Sequence, residues 1–91
     1  MDIRETQNEY QKLGSALQAI VKGFDPRSSP HLLRSTMDRV LEHAHNIGSP
    51  LLEEVQELKE LFDRLLAKSD QQLADRFLKQ ALRLEQETRE I

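Results

Sequence analysis

Three histidines, His31, His43 and His45, are the residues of this chain best placed to do chemistry. A metal ion needs several ligands converging from one side. His43 and His45 are two apart, so on a helix they point about 200° away from each other and cannot share an ion. His31 lies far along the same helix axis. The chain has no Cys to assist them and none for a disulfide. All three therefore read as surface or boundary residues, and no metal ligand set is expected.

The segment Ala44-His45-Asn46-Ile47-Gly48-Ser49 partly resembles the phosphoacceptor motif of histidine phosphotransfer domains, which are helical bundles of similar size. The resemblance implies a phosphorelay role with His45 as acceptor. The sequence departs from that motif where it is most specific. The Lys is missing, the spacing is one residue short, and Pro50 sits where that family's helix runs on. Phosphorelay through His45 therefore ranks third among the functional readings.

Carboxylates are abundant but do not pair for acid–base work, which needs a pocket and a desolvated environment. Glu53, Glu57 and Glu60 line one helix face, continued by Arg64. They read either as a solvated face or as an acidic dock for a basic partner. Pairs spaced four apart, Glu60–Arg64, Asp75–Lys79 and Glu85–Arg89, suit ordinary helix-surface ion pairing. Arg76, Lys79 and Arg83 form a short basic stripe. With a net charge of −3 and few aromatics, that stripe is too little for nucleic acid. There is no glycine-rich phosphate loop and no nucleophile in a recognisable setting.

The positive signal is a surplus of leucine. Leu32, Leu41, Leu52, Leu61, Leu78 and Leu82 lie off the narrow apolar stripes. Either they widen the core face, or some stay exposed and mark an interface.

These residues are positioned by helices. Apolar residues recur at helical spacing along all 91 residues, which predicts one all-α domain. Ile3, Tyr10, Leu17 and Phe24, with Leu13 and Ile20, make the stripe of a first helix over about 2–22, with Gly23 as a left-handed cap. Ser29-Pro30 starts a second helix over 30–47, carrying Leu33, Met37, Val40, Leu41, Ala44 and Ile47. Gly48 ends it, and Ser49-Pro50 starts a third over 50–68, on Leu51, Val55, Leu58, Phe62 and Leu65. Leu17, Ile20, Val40, Leu58 and Phe62 are expected in the core.

The last third is ambiguous. Ser69-Asp70-Gln71-Gln72 fits a capping box that would start a fourth helix over 70–89, on Leu73, Phe77, Ala81 and Leu84. Against this, no Gly or Pro follows Pro50, and the apolar spacing 4, 7, 4, 7 from Leu51 to Leu84 also suits one long straight helix. The preferred reading is a small antiparallel four-helix bundle. The alternative is three helices with a long C-terminal one, which would need a second chain. Residues 85–90 are polar and are expected to fray.

Function follows partly by elimination. No apolar run is long enough to span a membrane, and Met1-Asp2-Ile3-Arg4-Glu5 shows no secretory signal, so the expected location is the cytoplasm. The expected function is a non-enzymatic interaction module: a small helical adaptor, regulator or chaperone. Its partner would be another protein, itself as a homodimer, or both, with no nucleic acid, membrane, cofactor or small-molecule substrate. The partner-binding candidates are Leu52, Glu53, Glu57, Glu60, Leu61, Leu78 and Leu82. The competing reading is a small acidic inhibitor or immunity-type protein covering a basic surface.

Overall fold

The amphipathic stripes close on one another as four antiparallel helices. The computed structural model of the chain describes residues 3–25, 30–68 and 70–90, with side chains from Gln7 onward except at Pro30. The helices are α1 (Ile3–Gly23), α2 (Arg34–Ile47), α3 (Leu51–Ala67) and α4 (Gln71–Arg89). Each packs on its neighbours in sequence, and α4 returns to α1, closing the ring. The body measures 41 × 20 × 20 Å, about one helix long and two helices wide in each cross direction.

The core holds what the periodicity predicts. Leu17, Ile20, Val40, Leu58 and Phe62 have no exposed surface, and Leu13, Met37, Phe77 and Ala81 join them. Leu84 is buried in the same cluster, while Tyr10, Phe24, Leu33, Leu41, Ile47 and Leu73 pack partly buried around it. Phe77 sits between Phe24, with ring centroids 5.4 Å apart, and Phe62, at 5.7 Å. The side chain of Ile3 lies outside the described residues.

The long-helix alternative is overturned between Ala67 and Gln71. Lys68 and Asp70 both take extended backbone, with φ −153° and −144°. Two extended residues end the i→i−4 ladder, and the chain folds back to bury Phe77, Ala81 and Leu84 in the shared core instead of projecting them into water.

Helix boundaries differ from expectation in their capping chemistry. Gly23 is the last residue of α1, and Gly48, at φ 90°, is the glycine with positive φ among the described residues. The second helix opens with a 3₁₀ turn, Pro30–Leu33, before α2; Ser29 lies outside the described residues. Ser49 does not cap α3. Its hydroxyl donates to Glu53 Oε1 at 2.5 Å, and the cap position falls on Pro50. The start of α4 is capped by Asp70, whose Oδ1 accepts from Gln72 N at 3.1 Å, so the cap lies one residue beyond the expected Ser69, itself outside the described residues.

The expected fraying at 85–90 is also corrected. Helix α4 runs to Arg89, with Glu85 5% and Thr88 9% exposed. These two polar residues fall on the α1-facing side of α4, one and two turns beyond Ala81. Thr88 fits because α1 presents Gly14 there: a Cβ on Gly14 would lie 2.7 Å from Thr88 Oγ1. That hydroxyl donates to the Glu85 carbonyl at 2.6 Å. The Glu85 carboxylate is met by Arg89 Nη2 at 2.5 Å, which realises the expected Glu85–Arg89 pair.

Candidate functional site

The expected partner-binding residues do not form one surface. Helical geometry divides them. On α3, positions 54, 57, 61 and 64 face α4, whereas Leu52 falls on the flank with Lys59 and Leu66. On α4, positions 76, 80, 83 and 87 face α3, whereas Leu78 and Leu82 share the flank of Glu85 and Arg89. Leu52, Leu61 and Leu78 are partly buried, and Leu41 likewise. Only Leu32, at 77%, and Leu82, at 43%, are well exposed among the described large apolar residues. Most of the leucine surplus therefore widens the core, and the apolar signal for an interface narrows to two separated side chains.

What the structure does bring together is Glu57, Glu60 and Leu61 with residues from both charge stripes. They line an open groove of about 530 Å³ between α3 and α4, completed by Arg64 and by Arg76, Lys79, Gln80 and Arg83. Its α3 wall is acidic until Arg64, and its α4 wall is basic. Glu53 is one turn before Glu57 on the same outer face, held by Ser49.

Few of these charges are matched among the described residues. Arg83 Nε lies 3.5 Å from Glu87 Oε1. Among the described residues, Glu57, Glu60, Arg64, Arg76 and Lys79 make no ion pair. Of the expected helix-surface pairs, Glu60–Arg64 and Asp75–Lys79 are thus not formed; Asp75 Oδ1 instead accepts from Gln71 Nε2 at 3.2 Å. Long side chains in water gain little from pairing and lose rotamer freedom by it, so they stay apart.

At the far end of the same seam sits a like-charge contact. Burial pushes the Glu54 carboxyl above its ordinary value, helped by hydrogen bonding to and repulsion from Glu87 and opposed by Arg83. Sequence reading missed this pair because Glu54 and Glu87 are 33 positions apart.

The histidines divide as their spacing predicts. His43 faces α1, with Nδ1 2.8 Å from Glu9 Oε2. An ionised carboxylate only accepts, so that nitrogen carries the proton. Asn46 Nδ2 donates to the same oxygen at 3.2 Å, and the two bonds hold Glu9 below its ordinary value. This ties α1 to α2. His45 is exposed on the opposite side, two residues before α2 ends, and His31 is exposed in the 3₁₀ turn. Among the described residues no three His, Asp or Glu converge on a metal position. No described helix is long and apolar enough to cross a membrane.

A second groove, of about 600 Å³, runs along α1 and α4 beside the Gly14–Thr88 contact. Tyr10, Gln11 and Gln18 on α1 face Glu85 and Arg89 across it. Its one buried carboxylate, Glu85, is already matched by Arg89. The sequence signal for it was Gly14, a glycine in a helix interior with no turn to explain it.

Comparison of the chain with family models, with curated proteins and with solved structures found no match.

Proposed function

We propose that this chain is a non-enzymatic protein–protein interaction module, a small helical adaptor, regulator or chaperone acting in the cytoplasm, and that it binds through the α3/α4 groove. One observation carries the reading: the five charged side chains Glu57, Glu60, Arg64, Arg76 and Lys79 line that groove around Leu61 with no ionic partner among the described residues. An open groove with its charges uncommitted offers a partner new ion pairs without first breaking old ones. Charges so placed choose partner and register more than they add affinity. An acidic inhibitor of a basic surface would use Glu53, Glu57 and Glu60 alone. The basic wall of Arg76, Lys79 and Arg83 beside them favours a partner carrying both signs.

A photo-crosslinking residue at position 61 tests this, with the same residue at the exposed Glu42 of α2 as control. Position 61 is expected to capture a protein, whether a second copy or another chain, in the cells that make it, and position 42 to capture none. Equal, background capture at both would sink the proposal.

A further inference from the structure

The groove has an arrangement that selects one kind of partner. The Phe62–Phe77 ring contact and the Glu54–Glu87 contact set the register of the α3/α4 hairpin. In that register Glu57 lies level with Arg83, Glu60 with Lys79, and Leu61 with Gln80. Acid on one wall and base on the other therefore stand at matching heights, side by side on one face.

Taking the α3/α4 groove as the binding face, as above, we infer that its occupant is a second copy of this chain, docked face to face across a two-fold axis parallel to the helices. That axis keeps every residue at its own height and exchanges the two walls. Helix α3 of one protomer then lies on α4 of the other, Glu57 against the partner's Arg83 and Glu60 against the partner's Lys79. The symmetry makes each pair twice. Leu61 and Gln80, at the groove floor, come to the axis. A two-fold axis across the helices would instead lay α3 on α3 and set acid against acid, so the charge pattern chooses between the two symmetric arrangements. Two contacts oppose it: Arg64 against the partner's Arg76 at the turn end of the face, and Glu54 against the partner's Glu87 at the other end. A face of one α3 length by the 20 Å width of the body is small, about 1,000 Å² for both copies together, at the lower edge of specific interfaces. The dimer is accordingly a weak, reversible and salt-sensitive one.

Charge reversal tests the geometry. E57K/E60K makes both walls basic and K79E/R83E makes both acidic, and all four positions are exposed, so the fold is expected to survive, as helical circular dichroism would show. By light scattering at low salt and rising concentration, the natural chain is expected to move toward twice its 10.6 kDa. In about 1 M salt, where screening acts within about 3 Å, it is expected to return to monomer. Each variant alone is expected to self-associate at least about a hundredfold more weakly. Their equimolar mixture is expected to regain the dimer, since basic walls then face acidic ones. A mixture that stays monomeric overturns the inference, as does a variant that dimerises like the natural chain. Should either variant lose its helicity, the natural chain's own mass decides: monomeric at every concentration in low salt, it overturns the two-fold dimer. Capture of a different protein at position 61 with no self-association sinks this inference and leaves the interaction face standing; background capture there sinks both.

Discussion

Helix α4 meets two neighbours, and the two seams are built on opposite principles. Against α1 it closes by removing bulk: Gly14 leaves room for Thr88, and the polar groups drawn inside, Thr88 and Glu85, find partners within their own helix. Against α3 it is held apart by bulk, with Phe62 on Phe77 at the centre and a carboxylate pair at one end. Outside the rings that seam opens into a groove most of whose charges, Arg83 excepted, make no ion pair among the described residues. The first seam satisfies itself, and the second leaves its outer edge uncommitted. Matched and uncommitted polar groups are thus divided between two faces of one helix.

Three changes would break or sharpen that contrast. The largest effect is expected at the aromatic contact. Phe62→Ala removes a side chain with no exposed surface and leaves a cavity against Phe77, costing about 3–5 kcal/mol in urea unfolding. A loss below about 1 kcal/mol would mean that bulk does not hold the α3/α4 seam.

The next effect separates the seams by its sign. In a helix interior Gly→Ala normally stabilises by up to about 1 kcal/mol. At Gly14 the added methyl meets Thr88 Oγ1 at 2.7 Å, a hydroxyl held by the Glu85 carbonyl. Overpacking there is expected to outweigh the propensity gain, with a net loss of about 1–2 kcal/mol. In a Thr88→Ala background only ordinary contacts remain, and Gly14→Ala is expected to become stabilising. A double-mutant cycle reads this directly, and additivity would show that the close approach is not what shapes the α1/α4 seam.

The smallest effect concerns Glu54. Its folded-state value is raised, so its contribution to stability is complete below the ordinary value of 4.5 and is lost as pH rises through the folded value. At neutral pH the ionised Glu54 carboxylate, partly buried and facing Glu87, therefore works against the fold. Glu54→Gln is expected to raise Tm slightly at neutral pH and to leave it unchanged in acid. Glu9 behaves oppositely: lowered by His43 and Asn46, it contributes above the ordinary value and loses that contribution as pH falls through its folded value. A Glu54→Gln protein no more stable at neutral pH than the natural chain would count against a cost of burying and crowding that carboxylate in the α3/α4 seam.

Much of the architecture was legible in residue order because it is local. The four stripes, the break at Gly48 and the burial of Leu17, Ile20, Val40, Leu58 and Phe62 all follow from helical periodicity, which each segment carries within itself. The choice between a turn and a continuous helix at 68–70 was not local. The 4, 7, 4, 7 spacing from Leu51 to Leu84 serves either, and only the presence of α1 together with α3 to cover Phe77 and Ala81 makes folding back the better burial. The acid and base stripes were each visible, as Glu53, Glu57 and Glu60 and as Arg76, Lys79 and Arg83. That they face one another across a groove, while Leu52, Leu78 and Leu82 turn elsewhere, depends on the rotation of two helices about their own axes. The polar end of α4 was misread for the same reason. Glu85 and Thr88 look solvated by type, yet a glycine 74 positions before Thr88 lets α1 approach closely enough to cover them. Side-chain character along one helix fixes which stripe is apolar, but burial and pairing belong to surfaces that two helices make together.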